Sequence, residues 1–176
     1  MSVLESVDKS ELKDMLGKGW LTHDGMWFLH TSRAFGVEHA NTLNKAAIRS
    51  LAPIEMSRVK KVLGTGEASF ESFASLEEFL LNAFELILPA SVFQDFKFGA
   101  SSDNTLHWEW EEGECFAFKG MTQIGIIDEY RCGVIYRIEC WLDALGVDFS
   151  IDPKIEGCIM HTTGTCSGDI RVHLGD

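Results

Sequence analysis

Residues 157–168 read GCIMHTTGTCSG, with Cys158 and Cys166 on either side of a polar, glycine-containing turn and His161 between them. Zinc and iron–sulfur clusters are held by thiolates. Cys132 opens a helical stretch, where unpaired N–H groups and the helix dipole favour a thiolate. Cys115 lies near the start of an expected strand, and Cys140 lies inside the helix that follows Cys132. A turn rich in Thr and Gly leaves N–H donors free for metal-bound sulfur. The spacing is not the CxxC pairing, so burial as small apolar residues stands beside metal binding as a reading of these thiols.

Other groups could also do chemistry. His23, Trp27 and His30 share a helix face, with Asp24 beside it. A carboxylate next to an imidazole suits acid–base work, and Trp27 with His30 could wall a planar ligand. The plainer reading makes Asp24 the N-cap of a helix starting at Gly25. Arg137 could hold a ligand carboxylate bidentately if it points inward, although it lies off the apolar stripe of its helix. Glu38, Asn41 and Asn44 could face a pocket between helices, but a solvated face is the plainer reading. His107, Glu109 and Glu111 line one face of a strand and also read as solvated. The sequence has no phosphate loop ending in Gly-Lys-Ser/Thr, no Gly-x-Ser-x-Gly and no His-Glu-x-x-His.

The chain that must position these groups has 176 residues, 45% of them hydrophobic, enough for a core without staples. Its formal net charge of -12 disfavours nucleic acid and anionic membranes as partners. MSVLESVDKSELKDML has neither the basic nor the apolar region of a signal peptide, and no apolar run reaches membrane-spanning length. A cytoplasmic location is expected. Thiols stay reduced there, and the odd count of five cysteines prevents complete intrachain pairing.

Hydrophobic spacing predicts helices from Ser10 to about Gly17, from Trp20 to Phe35, from Val37 to Leu51, from Pro53 to Leu63 and from Ser75 to Leu88. In the Val37–Leu51 helix the predicted stripe is Ala40, Leu43, Ala47, Ile48 and Leu51. The period then changes. Strands are predicted at Val92–Phe98, at Leu106–Trp110 and around Phe116 and Phe118. A helix follows over 126–145, then a strand at Val147–Ile151 and a hairpin pairing Ile155–His161 with Ile170–Leu174. This order implies an α+β fold, with a helical segment (1–88) and an α+β segment (89–176) in one compact unit and helices on one face of an antiparallel sheet.

CGVIYRIECWLDALGVDFSIDPKIEGC followed by CIMHTTGTC resembles the end of the 4-vinyl-reductase-type small-ligand-binding domain. The long interval from Cys132 to Cys158 and the short one from Cys158 to Cys166 carry the likeness. The resemblance implies zinc at Cys132, Cys158 and Cys166. The family's acid lies in Glu-x-x-Cys, whereas Glu156 here gives Glu-x-Cys, and one position on a strand reverses the side chain. Cys115 or His161 is therefore an alternative fourth ligand to Glu156. GWLTHDGMWFLHTSRAFGVEHANTLN and YRCGVIYRIECWL also resemble an uncharacterised prokaryotic family near the L-2-amino-thiazoline-4-carboxylic acid hydrolases.

Three functions follow as expectations. The first is a small-molecule-binding or sensing protein with a structural thiolate metal site, zinc or alternatively an iron–sulfur cluster; a carboxylate is one candidate for the small molecule it binds. The second is a hydrolase of a small amide or thiazoline carboxylate, using a cysteine or a metal-bound water with His23 and Asp24. The third is an assembly subunit. A homodimer is compatible with the apolar helix faces.

Overall fold

The computed structural model describes residues 2–66 and 70–174. Four helices come first: α1 (Val3–Ser6), α2 (Lys9–Phe35), α3 (Val37–Leu63) and α4 (Phe73–Ile87). They are followed by β1 (Phe96–Ser102), β2 (Thr105–Trp110), α5 (Phe116–Gln123), α6 (Val134–Ala144), β3 (Asp148–Asp152), α7 (Ile159–Thr163) and β4 (Cys166–His173). No described helix is long and apolar enough to cross a membrane.

α2 starts at Asp8, whose carboxylate accepts a hydrogen bond from the Ser10 amide at 2.7 Å. It continues through Gly17, where a break was expected. A Cβ at Gly17 would stand 3.0 Å from Pro89, so the glycine lets the helix lie against the segment after α4. Asp24 is therefore inside a helix and is not its cap. Gly36, at φ 90°, ends α2 and opens α3. Pro53 likewise does not start a new helix, but sits within α3. It faces solvent, where its ring and the carbonyl it leaves unpaired are accommodated by water. Gly64 closes α3 in the left-handed conformation.

The sheet is antiparallel throughout, in the order β1-β2-β4-β3, so the fold is α+β. Alternation sets its faces. Leu106, Trp108 and Trp110 are buried, and across the ladder they meet Ile170, Gly168 and Cys166. His107 and Glu109 point the other way, with His107 bonded to Asp169 at 2.8 Å. A Cβ at Gly168 would come within 2.3 Å of the Trp108 ring, so only glycine lets that indole lie flat across β4.

Three expected elements differ. Phe116–Phe118 belong to α5, because Phe116, Ala117, Gly120 and Met121 form one helical face against a cavity. The helix expected over 126–145 begins only at Val134, after a loop. The expected hairpin is replaced by the short helix α7 and by β4, which pairs with β2 and β3. The sheet consequently has four strands rather than six.

The core has two clusters. One lies over the sheet and includes Leu76, Leu80, Trp108, Ile135, Leu142 and Ile170. The other packs Ile48, Ala52, Met56 and Val59 of α3 and Phe79 and Ala83 of α4 against Cys140 and Trp141 of α6.

Candidate functional site

The face that α2 turns inward is Leu21, Asp24, Gly25 and Phe28. With α3, α5 and α6 it encloses a cavity of about 250 Å3. Most of the wall is apolar, and seven of its residues are aromatic, Phe28, Phe84, Phe93, Phe116, Tyr130 and Trp141 among them. Asp24, Asn44 and Arg137 are its charged and amide groups. His23, Trp27 and His30 are on the opposite face of α2 and do not line the cavity. Trp27 is 62% exposed and its ring meets His23 edge-on, so the expected wall residues point to solvent.

Arg137 does point inward. Its guanidinium donates to Glu55 Oε1 at 3.1 Å, and the two side chains are only 12% and 9% exposed. The Trp141 indole donates to the other Glu55 oxygen at 2.7 Å. The Trp20 ring covers the guanidinium at 4.4 Å. Burial lowers the Arg137 pKa, while Glu55 and then Asp24 oppose that shift. Arg137 and Trp141 are four residues apart and so share a face of α6, a sequence signal for this network.

The expected solvated face of α3 is also turned partly inward. Asn41 is 2% exposed. Its amide donates to the Glu129 carbonyl at 2.8 Å and accepts from the Arg131 amide at 3.0 Å. These bonds pin the loop before α6. The expected stripe residues Leu43 and Ala47 are exposed instead. Within that loop the Tyr130 hydroxyl accepts from the Gly133 amide at 3.0 Å.

On the far side of Tyr130 lies a second, smaller void of about 10 Å3. Cys115, Cys132, Cys158 and Cys166 all line it. They arrive from four places: the N-cap of α5, the residue before the N-cap of α6, the N-cap of α7 and the first residue of β4. All five cysteines of the chain are free and buried. Cys140 belongs to the other core cluster. Burial pushes the Cys115 and Cys166 thiols up to about 12, and raises those of Cys132 and Cys158 as well.

Several donors oppose that shift. The amides of Ala117 and Phe118 favour a thiolate at Cys115, those of Ile135 and Val134 at Cys132, and those of His161 and Met160 at Cys158. None closes a formal cap hydrogen bond at α5 or α7. The Trp108 indole favours the thiolate of Cys166. The indole N–H of Trp110 is buried and has no hydrogen-bond partner. Soft metals need such a donor set, and unpaired N–H groups are what ligating sulfurs draw on. Among the described residues, no three His, Cys, Asp or Glu side chains are gathered into a group that could hold an ion as they stand.

Glu156 is exposed and does not line this void, and His161 pairs with Asp128 at 2.8 Å. The void thus brings together the cysteines proposed from sequence and leaves out the two other candidate ligands.

Comparison with curated proteins and with solved structures finds no match. The family of unknown function DUF6125 matches residues 5–161, and the chain belongs to that family.

Proposed function

We propose that this chain is a small-molecule-binding protein, with its ligand in the aromatic cavity and a structural metal ion at the four cysteines. The observation that carries the reading is the cavity itself. An apolar wall with a few convergent polar groups is the usual form of a small-ligand site. Its volume of about 250 Å3 exceeds the roughly 150 Å3 that suffices for benzene in an engineered protein cavity. Zinc is the first choice at the thiol centre and an iron–sulfur cluster the second. Four protein ligands leave no open position, which makes the ion structural. Such an ion would tie α5, α6, α7 and β4 together, in the manner of the 4-vinyl-reductase-type domain that the cysteine spacing resembles. Reduced thiols suit the cytoplasm.

The test is elemental analysis of anaerobically purified protein, followed by melting before and after verified metal removal. One zinc per chain and a lower melting temperature without it are expected, because binding energy at a structural site is folding energy. Metal-free protein as purified, melting unchanged in added zinc, would overturn the metal half of the proposal and leave the cavity untouched.

A further inference from the structure

We infer that the cavity takes a flat aromatic molecule with a cationic or N–H-donating nitrogen group, and that it disfavours carboxylates. This rests on the cavity being a ligand site. Arg137 would ordinarily argue for an anion, but its charge is already engaged. Glu55 accepts from it at 3.1 Å, and Trp20 covers it at 4.4 Å. The Trp141 N–H also serves Glu55, so this indole offers no free donor to a ligand.

Besides the Glu55-paired Arg137, the polar groups lining the cavity are Asp24, the Asn44 amide and the Tyr130 hydroxyl, and Asp24 is the one that carries an unbalanced charge. Arg137, Glu55 and Asp24 together sum to one negative charge. A carboxylate placed there meets a net negative corner. An ammonium or amide N–H instead finds Asp24 as acceptor, and the aromatic walls favour a cation further. The net charge of -12 steers the same kind of molecule towards the protein.

Four probes with one ring system separate the possibilities: indole, tryptamine, indole-3-acetamide and indole-3-acetate, titrated calorimetrically into the full chain. Tryptamine should bind about tenfold or more tighter than indole-3-acetate, because like charges brought together are strongly disfavoured. Asp24→Asn should bring these two within about threefold of each other. Asp24 is exposed, so this variant keeps its fold. Indole-3-acetate binding as tightly as tryptamine, or a preference that survives Asp24→Asn, overturns the inference and leaves the cavity standing. Failure of all four probes to bind overturns both.

Discussion

Replacing Glu55 with alanine removes the acceptor of two buried donors at once, the Arg137 guanidinium and the Trp141 indole. Breaking a buried ion pair from one side costs about 3–5 kcal/mol, because the other charge stays behind uncompensated. A stranded indole N–H adds about 1–3 kcal/mol. The two penalties overlap, since both arise from one missing carboxylate, and water in the adjoining cavity relieves part of the charge. A loss of about 3–5 kcal/mol is therefore expected. In a chain of this size that corresponds to roughly 6–20 °C in Tm. Arg137→Met combined with Glu55→Leu should recover the part of the loss due to the stranded charge, because the pair then leaves together and an apolar pair fills its space, while the Trp141 indole still lacks its acceptor. Urea unfolding of Glu55→Leu, Arg137→Met and the double variant gives the coupling energy directly. A cost below about 1 kcal/mol for Glu55→Ala, or a coupling energy within about 0.5 kcal/mol of zero, would refute the account of this network.

The remaining expectations concern the sheet and the acid limb. Gly168→Ala places a Cβ where the Trp108 ring and the Asp152 carbonyl already are, at 2.3 and 2.6 Å. It should destabilise by at least about 1–3 kcal/mol, with a change in near-ultraviolet circular dichroism from the displaced tryptophan. An unchanged melting curve would show that β4 does not lie against Trp108. At Asp14, the Ser91 hydroxyl first, then the Ser91 amide and Lys18, hold the carboxyl at about 2 against an ordinary 3.8. Its folded-state pKa is depressed, so its contribution is present above pH 3.8 and is lost as pH falls through about 2. Tm should therefore fall more steeply between these values in the wild type than in Asp14→Asn, and parallel profiles would count against the contact.

Strand β2 was legible because one half of its alternation is fully apolar and the other polar, and burial follows that split. α2 was harder. Met15, Leu16, Met26, Trp27 and Phe35 are exposed, so its sequence is apolar on both sides and periodicity points to the wrong face. Gly17 and Pro53 read locally as breaks. One is explained by Pro89, which is distant in sequence, and the other by exposure, and a sequence window contains neither cause. The sequence showed the cysteines as a set only through the family resemblance; residue type and spacing alone left burial and metal binding both open. The cavity's aromatic wall was not legible, because phenylalanines from β1, α4, α5 and the α4–β1 segment converge only through the tertiary fold. Asn41 was misread for a related reason: an amide in mid-helix normally meets water, and this one meets a loop about 90 residues away.

That loop, residues 124–133, joins the two candidate sites physically. Tyr130, Ala117 and Val134 line both voids, so the wall of the aromatic cavity is also the wall of the thiol centre. Tyr130 is buried and fixed by three constraints: its hydroxyl on the Gly133 amide, the Asn41 amide on its neighbours, and the Phe28 ring edge-on at 5.7 Å. Gly133 is equally constrained, since a Cβ there would come within 2.9 Å of the Asn44 amide and 3.0 Å of Ile48. Close-packed interiors transmit displacements instead of absorbing them. A shift of Cys132 large enough to gather the four thiols would therefore move Gly133 and Tyr130, which line the aromatic cavity. The buried amide of Asn41 resists that movement with two hydrogen bonds worth about 1 kcal/mol each. This gives a physical reason for a polar side chain in the middle of α3, where an apolar one would pack without desolvation cost.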